Sequence, residues 1–381
     1  MPNFQWVTFL QARQQLAGRL ADPGMVFWSD SELKLYIYES LRTWNALTEF
    51  WNADFAFQAN SSAVWYDLSL LAGSPRLRSV VDTDLYNIME YHLLEPATGG
   101  TWTGTSQFSI SDLSGALQRR RDEMIQVSGC NIKQLPLLPN MPTTRRVYFG
   151  DSTLEPRRAR FIPDSTYGSP VTLSREDTIG FDAFESQHLQ QWQFPSAWSV
   201  ITGPPLAMDV DTAPNVPGTY DVLSLQAGLA FAPPVATLMG VPDDWAWLAK
   251  WGALSDLLGR DSEATDRPRA EYCIKRYQDG LKIMAASNWL VSGTINGVPV
   301  DVPSVREMDG YSPEWQDSAS AWPSLVQAGM DFAAPCPTAT GSAIIGVSMI
   351  LVGNAPIPVL DNDFVQVPRD VFDVILDYAQ A

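Results

Sequence analysis

Two histidines are all the imidazole chemistry this chain carries. His92 falls between Tyr91 and Leu93 in a segment with helical spacing, which predicts a structural, hydrogen-bonded role. His188 sits in the polar run Glu185-Ser186-Gln187-His188, which reads as surface. Neither has another His or a Cys close by, and zinc ligands come in closely spaced pairs, so no metal set is expected. Cys130, Cys273 and Cys336 are widely separated with no Cys-x-x-Cys pair, and read as buried free thiols of a protein made in a reducing cytoplasm. There is no Gly-x-Ser-x-Gly elbow and no Gly-x-x-x-x-Gly-Lys-Ser/Thr loop, which removes two common routes to hydrolysis and excludes a P-loop ATPase. A Ser-His-Asp set assembled from distant positions stays open. Asp209-x-Asp211 and Asp361-Asn362-Asp363 offer carboxylates to a hard cation but lack the other positions of a calcium loop, so turn residues are expected. With 43 acidic residues no pair can be singled out for glycoside hydrolysis. The expectation is a non-enzymatic chain with no catalytic residue, no cofactor and no metal.

Two other groups could act by contact. Eight arginines lie between positions 119 and 160: Arg119, Arg120 and Arg121, Arg145 and Arg146, Arg157 and Arg158, and Arg160. Three consecutive helix positions fan over about 200 degrees, so the first three cannot all meet one partner. One reading is a basic stripe facing an acidic neighbour or packaged DNA. The other is pairing within the subunit on a solvated face. The aromatics Trp44, Phe50, Trp51, Phe55, Phe57 and Trp65 form either a core or subunit interface, or a flat platform for sugar rings. Arg119, Arg120, Arg121, Arg145, Arg146, Arg157, Arg158, Trp44 and Trp51 are therefore the candidate subunit-interface residues. The chain carries a net charge of −18 with a pI near 4.4. Phosphate binding needs Lys and Arg to release counterions, so tight DNA binding is not expected. An acidic surface suits a channel through which DNA slides, or simply solubility before assembly.

Positioning these groups is the work of two kinds of segment. Phe9, Leu16 and Leu20 predict a first helix, stopped at Asp22-Pro23-Gly24. Ser29-Asp30-Ser31-Glu32 reads as a capping box opening a helix with Leu33, Ile37, Leu41, Trp44 and Leu47 on one stripe. Further helices are expected after Thr83-Asp84, over 111–128 ending at Gly129, from Pro242-Asp243-Asp244 through Trp247, Trp251, Leu254 and Leu258, from the Asp266 cap through Tyr272, Cys273, Tyr277, Leu281 and Met284, and from Arg369 to the end. Between 130 and 230 prolines punctuate short apolar runs, which suggests β structure. Other candidate strands are 63–71, 298–302 and 343–352. The fold class is α+β: a helical bundle (N-terminal and 240–290 helices) with an inserted β-sandwich-like domain and a mixed C-terminal region. The corresponding divisions are 1–129, 130–230, 231–290 and 291–381. The N-terminal stretch lacks a signal-peptide pattern and no apolar run is long enough for a bilayer, so a soluble, non-membrane protein is expected.

Several local strings resemble tailed-bacteriophage virion proteins: Trp28-Ser29-Asp30-Ser31-Glu32-Leu33, Leu41-Arg42-Thr43-Trp44-Asn45, Tyr91-His92-Leu93-Leu94-Glu95-Pro96, Trp102-Thr103-Gly104-Thr105, Ala116 to Asp122, Val241-Pro242-Asp243-Asp244-Trp245, Trp251-Gly252-Ala253-Leu254 and Ala270 to Tyr277. The resemblance spans most of 28–290 and the segment 371–378, and its strings are packing strings, not catalytic fingerprints. The helical part is similar to head-to-tail adaptor (connector, neck) proteins, in which a small helical bundle docks under the portal ring. What this implies is a structural virion subunit, assembled in the host cytoplasm. It would form a homo-oligomeric ring, dodecameric as in adaptors, between portal protein and tail proteins, with DNA passing through the lumen without specific binding. The long β insertion departs from the smallest adaptors. The alternative is a baseplate or tail-surface protein that binds host glycan through the β domain.

Overall fold

The computed structural model describes residues 4–59, 65–71, 78–93, 107–139, 144–164, 171–177, 194–260, 265–287, 289–302, 326–329, 331–334 and 345–380. His188, Cys336 and the string 102–105 lie outside them. The described residues hold seven helices: α1 (Phe9–Arg19), α2 (Asp30–Thr48), α3 (Asp82–His92), α4 (Ile110–Ser128), α5 (Ala246–Leu258), α6 (Arg267–Ala286) and α7 (Arg369–Gln380). Local chemistry sets their ends. Ser29 caps α2 by accepting from the Glu32 amide, while the Glu32 carboxylate accepts from Tyr36 instead of closing the expected box. Ser109 caps α4 through the Asp112 amide, and Gly129 ends it at φ 68°, a left-handed turn that costs glycine nothing. Asp266 caps α6 one residue before Arg267 and Pro268.

Leu33, Ile37, Leu41 and Trp44 of α2 are buried as the stripe requires, while Leu47, at the helix end, is exposed. These residues pack with Phe9 and Leu16 of α1 and with Phe372, Ile375 and Leu376 of α7, so the two ends of the chain share one core. Arg19 pins that arrangement to Asp373 and Asp377. A second core closes around α5, which is buried on nearly every face. It receives α3 and α4 from before the β segment and α6 from after it. Tyr272 is exposed and meets the Trp251 ring edge-on.

The segment between α4 and α5 is one curled half-barrel sheet. Its strands are β3 (Ile132–Gln134), β4 (Leu138–Pro139), β5 (Arg146–Tyr148), β6 (Thr153–Pro163), β7 (Val171–Arg175), β8 (Ala197–Ile201), β9 (Ala207–Val210) and β10 (Gly218–Gln226). They run in the order β3-β10-β6-β7-β8-β9-β5, with β4 also on β10. The expected sandwich is corrected here. What would be two sheets are joined by a parallel pairing of β7 and β8 (Ser174 with Ala197, Arg175 with Trp198), so the sheet curls around its own core instead of splitting. Phe161, Trp198, Met208 and Tyr220 fill that core. Pro156 is tolerated in β6 because it sits at the register shift opposite Ser224, where the ladder is already broken.

Two small antiparallel sheets complete the fold. One joins β1 (Asn52–Gln58), β15 (Gly346–Val352), β11 (Leu290–Ile295) and β12 (Val298–Val300), in that order; the other joins β13 (Val326–Ala328), β14 (Asp331–Ala333) and β2 (Trp65–Asp67). β1 and β11 were not expected from the sequence; of the candidate strand at 63–71, residues 63 and 64 lie outside the described residues, 65–67 are extended and a 3-10 turn follows.

In the second small sheet Asp331 lies opposite Asp67, with Arg78 3.7 Å away. Burial, then the neighbouring Asp67 charge, pushes the Asp331 carboxyl up to about 7. A carboxyl raised on folding favours the folded state fully below its ordinary value near 4, and that contribution is lost as pH rises through about 7. Asp331→Asn locks the neutral form. At pH 8 it should raise stability by about 2 kcal/mol, roughly half of what such a shift is worth, because one acceptor oxygen near Arg78 becomes an NH2 that cannot accept. Urea titrations at pH 4 and pH 8 check this; equal stability of variant and parent at both would refute it.

Candidate functional site

A cavity of about 200 Å³, lined by aromatic and polar side chains, opens where α2, α3, α5, α6 and α7 converge. Its floor is an ion pair between Glu39 of α2 and Lys250 of α5, whose side chain is 0% exposed. Trp251 donates its indole N–H to the second Glu39 oxygen at 3.2 Å. The Lys250 ammonium lies 4.3 Å from the centre of the Trp251 ring, and the Arg276 guanidinium lies 4.5 Å from it. His92 places Nε2 3.3 Å from Lys250 Nζ and meets Tyr36 and Trp251 edge-on and tilted.

Electrostatics fixes the protonation states. Burial, then the charges of Lys250, Arg269 and Arg276, hold the His92 imidazole well below its usual range. It is therefore neutral, with Nε2 accepting from Lys250 and the proton on Nδ1. Burial also pulls the Lys250 ammonium down, and the adjacent Glu39 carboxylate opposes this. A lysine held so could serve as a nucleophile if it were open to substrate. Here it is sealed beneath the cavity and spent on Glu39 and His92. Thr43 is different: it lines the cavity, is buried, and its hydroxyl has no hydrogen-bond partner. The arrangement can orient and hold a group that enters, through aromatic walls and a few donors. Among the described residues no group of three or more His, Cys, Asp or Glu could hold a metal ion. No helix there is long and apolar enough to cross a membrane.

The sequence-derived interface residues are not brought together. Arg121 is 0% exposed: its guanidinium donates to the carbonyls of Leu229 (2.6 Å) and Gly228 (3.1 Å), bonds Asp122, and lies over the Phe231 ring. Arg158 is buried in β6. Trp44 and Trp51 stack edge-on inside the core of α1, α2 and α7. For these four the interface expectation is corrected, because a side chain enclosed by its own chain has no face left for a neighbour. Arg120 spans Asp256 and Glu123, Arg146 bonds Asp209 at 2.8 and 3.0 Å, and Arg157 bonds Glu155 at 3.0 Å. Arg145 donates to the Val210 carbonyl. Arg119, 68% exposed, reaches Asp256 at 3.5 Å. The carboxylates considered for a cation take protein donors: Asp209 takes Arg146, Asp211 takes Ser196 and Thr212, Asp361 takes Arg13, and Asp363 takes the amides of Val359 and Leu360.

Arg121 explains Gly228. A Cβ at that position would stand 2.5 Å from the Arg121 guanidinium carbon, which two carbonyls and a ring hold in place. Gly228→Ala is expected to cost about 2 kcal/mol by overpacking, read as a lowered denaturation midpoint at unchanged slope.

The residues that sequence reading missed are Glu39, Thr43 and Lys250. A signal for Lys250 existed: it is the only charge in Ala246 to Leu254, on a helix apolar all round, and such a charge is buried and partnered.

A further polar knot lies beside this site. Asp243 accepts from the Ser79 amide (2.6 Å), the Val80 amide (2.8 Å), the Ser79 hydroxyl and Asn354 (2.9 Å). Asp244 accepts from Asn45 and the Ala355 amide, and Asn45 in turn bonds the Gly353 carbonyl and the Trp51 amide. Burial pushes the Asp244 carboxyl up to about 7.

Compared with known proteins, the chain matches no family model and no curated protein sequence.

Proposed function

We propose that this chain is a non-enzymatic structural subunit of a tailed-phage virion, a head-to-tail adaptor that forms a ring between portal and tail. The observation that carries the reading is how the β segment is set into the helical part. α3 and α4 precede it, α5 and α6 follow it, and the four close one core, so the half-barrel projects from a helical body that is continuous through it. A helical body that docks is the organisation the adaptor resemblance implies; the β insertion, which departs from the smallest adaptors, would contact the neighbouring layer. The role is mechanical: no turnover and no cofactor are required. The acidic surface, net −18, suits a lumen through which DNA passes without sticking. Trp44, Trp51 and Phe55 are buried, so these three do not form a flat platform for sugar rings; the alternative, glycan binding through the β domain, does not depend on them.

Mixing the purified chain with portal protein and imaging the product by negative-stain electron microscopy tests this. A ring of many copies seated on the portal is expected. A chain that stays monomeric beside the portal overturns it.

A further inference from the structure

The segment joining α1 to α2 holds two large apolar side chains in water. Val26 is 79% exposed and Phe27 86%. The loop is braced to do so. The buried Asp22 carboxylate accepts from the amides of Val26 (3.0 Å), Phe27 (2.8 Å) and Trp28 (3.0 Å). Ala21 and Met25 adopt φ of 57° and 51°, a region that non-glycine residues enter only at a cost. A braced loop that presents a phenyl ring has the properties of a pre-organised contact residue, because little ordering is left to lose on binding.

The chain also holds a receptor of matching size and polarity. The cavity is about 200 Å³, and roughly 150 Å³ suffices for a benzene ring. Its walls include the aromatic rings of Trp28, Tyr36 and Trp251. Phe27 stands outside its own cavity although the next residue lines it. Hydrogen bonding is complementary too. Asp22 occupies the amides of the tip, so the tip offers carbonyl oxygens. The cavity offers donors: the buried, unpartnered Thr43 hydroxyl and the guanidinium of Arg276, which bonds only Tyr272 among the described residues and keeps further N–H groups.

We propose that the Val26-Phe27 tip of one copy inserts its phenyl ring into the cavity of a second copy. Repeated head to tail, such a contact is heterologous and closes a ring by rotation; exchanged across a two-fold axis, it stops at a dimer. The head-to-tail form rests on the ring reading above, whereas the tip-in-cavity contact does not.

The full chain tests it. Phe27→Asp changes an exposed side chain, so the circular dichroism and melting curve should stay as in the parent, while the concentration for half-assembly in sedimentation velocity should rise about 30-fold. Cross-linking gives the register. Phe27→Cys and Gln380→Cys, the latter at the cavity rim, are combined in one chain with Cys336→Ser. Under mild oxidation this chain should give a ladder of disulfide-linked oligomers that neither single variant gives. A product that ends at the dimer keeps the contact and overturns the ring as its setting. No cross-linked species, or Phe27→Asp assembling as the parent does, overturns the contact, while rings on the portal would still support the adaptor reading.

Discussion

Lys250→Met is expected to destabilise the protein by about 4 kcal/mol. The methionine fills the space of the lysine stem, so little packing is lost. What remains is the Glu39 carboxylate, buried beneath the cavity and reduced from two donors to the Trp251 N–H alone. An uncompensated buried carboxylate costs several kcal/mol, whereas a neutral side chain of similar shape does not. The double variant Glu39→Gln with Lys250→Met should therefore recover most of the loss, because Gln still accepts from Trp251 and carries no charge. Lys282→Met is the comparison at the surface: its pairing with Asp279 is largely solvated, and its removal should change stability by less than about 0.5 kcal/mol. Guanidinium denaturation of the parent, Glu39→Gln, Lys250→Met and the double variant gives the coupling energy directly. A double variant as unstable as Lys250→Met alone would show that the loss comes from packing and not from the stranded charge.

Such a pair is also where the sequence was hardest to read. The helices were legible because capping and periodicity are local: Ser29, Gly129 and Asp266 each mark a boundary that the structure keeps. The fan of Arg119, Arg120 and Arg121 was legible as geometry, and it is seen as exposed, half-buried and fully buried side chains in turn. Which of the three was buried was not legible, because the answer depends on the carbonyls of Gly228 and Leu229, over a hundred residues away. The strands β1 and β11 were missed for the same reason. Each is extended because it pairs with β15, and nothing in Asn52 to Gln58 states that a partner lies at Gly346 to Val352. The curl of the large sheet turns on one short parallel pairing, a contact with no local sequence mark. The cavity is likewise non-local, built from side chains of five helices.

Asp243→Ala should cost about 4 kcal/mol. The carboxylate accepts from four donors, two of them backbone amides of Ser79 and Val80 that enter the first turn before α3, and one the side chain of Asn354 from the far end of the chain. Alanine leaves these donors facing a void too small to hydrate all of them, and each buried unmet donor costs on the order of 1–3 kcal/mol. The loss is not the sum, because the strap at Ser79 can relax outward. Asp244→Asn is the informative neighbour. It keeps an acceptor for the Ala355 amide and removes a carboxyl that burial has raised to about 7. A carboxyl raised on folding weakens the fold as pH climbs through about 7, so Asp244→Asn should cost less at pH 8.5 than at pH 5. Hydrogen exchange separates the two variants locally: the amides of Ser79 and Val80 should lose protection in Asp243→Ala and keep it in Asp244→Asn. The string Val241-Pro242-Asp243-Asp244-Trp245 thereby acquires a physical role. It ties α2, the approach to α3 and the segment after β15 to the start of α5, and so sets the helices that wall the cavity.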